Sequence, residues 1–121
     1  MANTFKVITF AAEPNSAGTP YVVYTAGSGV TTVVLGLILT NINTAQVTAE
    51  VELVSDTGSR GGSNDVTNGT AFLAKDIPIP VGSSVELLSG NKVVLETTDQ
   101  IRIDCSVADK LSGSLSIMEI T

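Results

Sequence analysis

Histidine and tryptophan are missing from this 121-residue sequence, and cysteine occurs once. The first absence removes the usual general base and the commonest metal ligand, so no Ser-His-Asp triad or Cys-His pair can be assembled. A lone thiol excludes an intrachain disulfide and a cysteine-based zinc site. Basic residues are scarce too: six Lys and Arg face twelve acids, for a net charge of -6. Lys6, Arg60, Lys75, Lys92, Arg102 and Lys110 stand singly. That spacing forms no stripe able to follow a phosphate backbone, which argues against nucleic acid as a partner. The acidic excess suits solubility and self-repulsion before assembly. Five aromatics, Phe5, Phe10, Tyr21, Tyr24 and Phe72, are too few for a carbohydrate platform or a base-stacking surface. The longest dense apolar run, residues 33–39, falls well short of the roughly 20 residues that cross a bilayer. The opening MANTFKVITF lacks the basic start and long apolar run of a secretory signal. The expectation is a soluble chain, made in the cytoplasm without its own export signal and with no membrane partner.

What the sequence has in quantity is strand-forming residues. Hydrophobic residues make up 43%, Thr and Val abound, and turn residues recur at short intervals. Residues 45–53 alternate most clearly: Ala45, Val47, Ala49, Val51 and Leu53 are apolar, and Gln46, Thr48, Glu50 and Glu52 are polar. A period of two gives one buried and one solvated face. Residues 100–107 repeat the pattern, with Ile101, Ile103, Cys105 and Val107 on one side. Cys105 therefore reads as a small buried hydrophobe rather than a reactive thiol. Residues 31–42 differ, because Val33, Leu35, Leu37 and Leu39 form one apolar row while Val34 and Ile38, with Gly36, form a second. A strand apolar on both faces either lies under two layers or meets a partner.

Further strands are expected at 5–11, 21–25, 70–77, 84–88, 92–95 and 114–120. The total, roughly eight or nine, is the density of an antiparallel β-sandwich or jelly-roll-like fold. A chain of this length forms one domain, 1–121, which buries roughly two thirds of its unfolded surface. It carries a short N-terminal strand or arm. Ala26-Gly27-Ser28-Gly29 and Ser89-Gly90-Asn91 read as turns, and Asn41-Ile42-Asn43-Thr44 as a hairpin making its two flanking strands antiparallel neighbours. Pro78 and Pro80 place their stretch at a strand end or sheet edge. Residues 55–69 are almost wholly Gly, Ser, Asn, Asp and Thr, the composition of a long, flexible surface loop joining two strands that would otherwise form a hairpin.

Little is left for chemistry. Glu50 and Glu52 share a strand face, an arrangement that is ordinarily solvated rather than catalytic. Asp56, Asn64, Asp65 and Asn68 offer oxygen ligands for calcium without the spacing of a helix-loop-helix calcium site. Gly58-Ser59-Arg60-Gly61-Gly62 lacks the Gly-Lys-Ser/Thr ending of a phosphate loop. No catalytic, cofactor-binding or metal residue is assigned, and no cofactor is expected.

The order Tyr24-Thr25-Ala26-Gly27-Ser28-Gly29, Val33-Val34-Leu35-Gly36-Leu37 and Thr40-Asn41-Ile42 carries a resemblance. So do Lys75-Asp76-Ile77-Pro78-Ile79-Pro80-Val81-Gly82-Ser83-Ser84, Leu95-Glu96-Thr97-Thr98-Asp99-Gln100-Ile101-Arg102 and the final Met118-Glu119-Ile120-Thr121. From Phe5 onward the chain resembles the small β-sandwich virion proteins of tailed bacteriophages, especially those of cyanobacteria and marine bacteria. The resemblance implies a structural component of the virion with no enzymatic activity. Most directly that is a capsid decoration (cement) protein, a homotrimer bound to the major capsid protein; otherwise it is a tail, neck or fibre-associated subunit. A lectin-like module binding host glycans is the reading from another class. The 55–69 stretch looks longer than the family pattern. Phe5, Val7, Val34 and Ile38 are the expected interface residues, the first two on an arm reaching a neighbour and the others on the second apolar row of 31–42.

Overall fold

The structure, a computed structural model, describes residues 2–55, 69–88 and 93–121. Among them are nine strands: β1 (Asn3–Glu13), β2 (Tyr21–Thr25), β3 (Thr31–Asn41), β4 (Val47–Val54), β5 (Thr70–Ile79), β6 (Ser84–Leu87), β7 (Val93–Leu95), β8 (Gln100–Cys105) and β9 (Leu111–Ile120). Every ladder is antiparallel, and they form two sheets. The first runs β1-β9-β3-β6, with β7 also on β3, and the second runs β2-β8-β4-β5. The pairings nest around the middle of the chain: β4 with β5, β3 with β6 and β7, β2 with β8, and β1 with β9. Successive pairs fall in alternate sheets, which is the jelly-roll arrangement with its sixth strand broken in two. The fold is the expected all-β antiparallel sandwich.

Alternation builds the core. Leu37, Leu39, Leu111, Leu115 and Ile117 of the first sheet meet Val47, Ala49, Val51, Ile101 and Ile103 of the second, and all are buried. Cys105 lies among them, and Leu53 packs on their margin. Phe10 of β1 reaches across to Tyr21 of β2, their ring centres 6.1 Å apart. Gly113 is required beside that ring, because a Cβ there would stand 2.8 Å from the Phe10 ring and collide with the Ile38 carbonyl oxygen.

Three expectations need correction. The turn after Asn41 does not make β3 and β4 neighbours, since they lie in different sheets. Asn41 is buried, and its side-chain amide donates to the carbonyls of Ala45 (3.0 Å) and Ile79 (2.8 Å) while its Oδ1 accepts from the Asn43 N–H (2.7 Å). Those bonds stand in for a ladder and carry the chain from one sheet to the other. Secondly, the two apolar rows of β3 are not its two faces. The register slips between Val34 and Gly36, a bulge that reverses side-chain parity. Thr32 and Val34 point inward before it, Leu37, Leu39 and Asn41 after it. Thirdly, β8 ends at Cys105, so Val107 is partly exposed beyond the strand.

The strands flanking the glycine-rich stretch are antiparallel partners, and the Ser55 N–H donates to the Gly69 carbonyl at 3.1 Å. Residues 56–68, including the calcium candidates, lie outside the described residues, as does the turn at Ser89-Gly90-Asn91. β6 and β7 both run antiparallel to β3, one after the other along the same edge. Pro78 sits in β5, the edge of the second sheet, where a missing N–H is tolerated.

Candidate interaction surface

The inner side of the first sheet is core, and its outer side is the largest feature left to explain. In the ladder, Phe5 faces Met118, Met118 faces Val33, and Val33 faces Val94. One apolar row thus crosses four strands in the outward direction. Its two ends are open, with Phe5 70% and Val94 52% exposed. Beside it, Val7 lies against Ser116 and Gly36, and Thr9 against Ser114, Ile38 and Glu86. The serines of β9 are short, so the middle of the face is low. Leu35, Gly36, Ile38, Glu86, Ser114 and Ser116 line a shallow cavity of about 270 Å³ there. Period-two alternation requires an outward residue at each of these places but does not require it to be Phe, Val or Ile.

The second sheet carries a different recess, a cleft of about 200 Å³ bordered by Ala17, Gly18, Thr48, Glu50, Asp76, Asp104, Cys105 and Ser106. Glu50 and Asp104 are cross-strand partners, two like charges that need compensation. Lys75 Nζ donates to Glu50 Oε1 at 2.7 Å. Asp104 Oδ1 accepts from the N–H groups of Gly18 (3.1 Å) and Cys105 (2.8 Å). Its neighbour Glu52 is paired with Arg102 at 2.5 Å. These carboxylates are spent on holding strands and loops together. Burial pushes the Cys105 thiol up, away from thiolate formation.

A polar tie joins the two sheets beside the apolar row. Tyr24 of β2 points inward, and its hydroxyl donates to Glu119 Oε2 at 2.6 Å with Thr32 Oγ1 2.8 Å away. Lys6 Nζ lies 2.7 Å from the other carboxylate oxygen of Glu119. The Lys6 hydrogen bond, and then that of Tyr24, hold the Glu119 carboxyl below its ordinary range. Burial, and then the bond to Glu119, push the Tyr24 phenol up to about 12.

No family pattern and no curated protein sequence matches the chain. Solved structures of infectious bursal disease virus are similar in fold. One is its VP2 subviral particle (TM-score 0.49, 14% identity), matched over 96% of this chain and 32% of that one. Another is the Gx strain (TM-score 0.49, 15% identity), over 98% of this chain and 33% of that one. The Gt strain gives a TM-score of 0.42 at 18% identity, over 96% and 33%. The chain spans about a third of the length of each.

Of the four expected interface residues, Phe5, Val7 and Ile38 lie together on the outer face of the first sheet, all exposed. Val34 does not join them. It is fully buried, because the bulge that follows it turns its side of β3 into the core. Of the expected N-terminal strand or arm, the structure has a strand, eleven residues long and paired with β9 inside the same chain. Met118, Val33 and Val94 were missed. Met118 and Val94 were present in the sequence as apolar residues out of phase with Ile117 and Leu95, whereas Val33 shares the parity of Leu37 and Leu39 and only the bulge turns it outward. The cross-strand register lines the three up. Among the described residues no helix is long and apolar enough to cross a membrane, and no group of three or more acids or thiols is placed to hold a metal.

Proposed function

We propose that this chain is a structural protein of a virion, working through protein contacts and without catalysis, most specifically as a capsid decoration protein of a tailed bacteriophage. The observation that carries the reading is the outer face of the first sheet. An apolar row across four strands, with Val7 and Ile38 beside it, is unusual on a monomer in water and marks a contact surface. The jelly roll adds a rigid platform, although such a fold also carries lectins and other proteins, so the fold alone assigns no role. The phage-specific part rests on the sequence resemblance, which also implies a homotrimer and the major capsid protein as partner.

The test is to add the purified chain to particles, isolated heads and isolated tails that lack it, and to follow co-sedimentation. Saturable binding to heads is expected, weakened at least tenfold by Ile38→Asp. Binding to tails alone would move the protein to the tail or neck. Binding to glycans with none to particles would replace the virion reading with a lectin.

A further inference from the structure

A sandwich of two open sheets has four edges, and three of them here are blunted. β2 has only five residues and a register shift between Val22 and Tyr24. β5 contains Pro78 and register shifts on either side of Val51's partner, and Lys75 lies over its exposed Phe72 ring at 4.5 Å. β6 and β7 are four and three residues long. Short strands, bulges, proline and lysine are the devices by which sheet edges avoid pairing with other chains. β1 is the least guarded: eleven residues, no proline, regular from Asn3 to Phe10, and charged only at Glu13 and at Lys6, whose ammonium is drawn to within 2.7 Å of Glu119.

The free hydrogen-bonding groups of that edge can be assigned. Ala2 and Thr121 exchange both backbone bonds, at 3.1 and 3.0 Å. In an antiparallel ladder bonded pairs alternate, so Thr4, Lys6, Ile8 and Phe10 bond to β9. The N–H and C=O groups of Asn3, Phe5, Val7 and Thr9 face away, and no other described strand pairs with that side. The same residues put Phe5 and Val7 on the open end of the apolar row.

We propose that this edge pairs with β1 of a second copy, antiparallel about a two-fold axis at Val7, joining two first sheets into one. A second copy offers the same free groups in the complementary order, as a two-fold contact requires. Free-side residues must oppose free-side residues, which leaves few registers. An axis at Lys6 would set two ammonium groups face to face, which is destabilising. An axis at Ile8 drives the pairing into the irregular stretch between Phe10 and Glu13. An axis at Val7 places Phe5 against Thr9 and Lys6 against Ile8, with the regular segment 5–9 fully paired. The two apolar rows then lie on one continuous face, so the contact supplies the self-association in the virion reading. Such a contact closes at two copies, in place of the trimer that the resemblance implies.

The edge makes the test sharp, because proline acts by parity. Val7→Pro removes an N–H that faces the partner, whereas Ile8→Pro removes one bonded to β9. In sedimentation of the full chain, a dimer is expected whose dissociation constant rises at least tenfold in Val7→Pro while thermal melting stays close to wild type. Ile8→Pro should lower the melting temperature. Should Val7→Pro fail to fold, Val7→Lys decides, since it leaves the β9 ladder intact and sets two ammonium groups on the axis. Val7→Cys should cross-link to its own copy through a short bis-maleimide, with Cys105 in wild type giving no such product. A wild-type monomer, a trimer, or a dimer indifferent to Val7→Lys overturns the proposal. Particle binding is read separately: a monomer that binds heads sinks only the two-fold pair, and a dimer that binds no particle sinks only the virion role.

Discussion

The two faces of the first sheet are built from the same four lanes of chain, yet one is sealed and the other open. Inward stand Leu37, Leu39, Leu115 and Ile117, fully buried; outward stand Phe5, Val33, Val94 and Met118, wholly or partly exposed. Both sets are apolar. The difference lies in what covers them, because the second sheet closes over the inner row and nothing described closes over the outer one. A β-strand cannot bury both its faces inside one two-layered sandwich. The outer apolar residues therefore contribute little to folding and are free to serve contacts.

Substitutions can break this contrast or sharpen it. The largest effect belongs to the inner face: Leu37→Ala should cost about 2–5 kcal/mol in denaturant unfolding, from lost transfer energy plus a cavity. A cost below about 1 kcal/mol would mean that the inner row is not core. Next is Gly113→Ala, expected to destabilise by about 1–3 kcal/mol through overpacking against Phe10 and the Ile38 carbonyl. A melting temperature equal to wild type would show that the strand gives way easily there.

The polar tie gives a smaller, pH-dependent effect. The Tyr24 phenol is raised in the folded state from 10.0 to about 12. Its contribution is complete below pH 10 and is lost as pH rises from 10 towards 12. Glu119 is shifted the opposite way, so its share is present above the usual carboxylate range and fades as pH falls below it. Tyr24→Phe should flatten the alkaline loss in a stability-versus-pH curve, and an unchanged curve would assign that loss to another group. The smallest effect on folding belongs to the outer face. Ile38→Asp should change monomer stability by no more than about 0.5 kcal/mol, as surface substitutions do. Unfolding of the variant would place Ile38 in the core after all.

Much of this fold was legible in the alternation. Residues 21–25 are β2 as read, and Val47, Val51, Ile101, Ile103 and Cys105 share the interior that their period of two assigned them. What escaped was the meaning of β3. Its rows at odd and even positions were both real, but a single extra residue at Leu35 exchanges their faces part-way along, so Val34 of one row and Leu37 and Leu39 of the other point inward while Val33 and Ile38 point outward. The one local signal for that bulge is Gly36 beside it, since a glycine inside a strand often marks one, and the bulge moved Val34 from surface to core. The hairpin after Asn41 failed for a related reason. Asn-rich turns signal a reversal of direction, but not whether the next strand lies alongside or across the sandwich. The candidate surface was only half visible, because Phe5, Met118, Val33 and Val94 are neighbours solely through pairings between distant parts of the chain.

The nested order of strand pairs has a kinetic side. Forming β4 with β5 closes the shortest loop of the four nested pairs, and each pair outward closes a longer one, ending with Ala2 beside Thr121. Closure entropy rises with loop length and must be met before contact energy is gained. Transition-state structure should therefore concentrate around β4 and β5, with β1 docking on the downhill side. Conservative substitutions in β1 would then mainly accelerate unfolding, giving φ-values near zero, while those in β4 would slow folding. High φ-values along β1 would reverse that order. On this route, the strand with the least guarded edge is among the last to be laid down, which shortens the time for which an incompletely folded chain displays it to its neighbours.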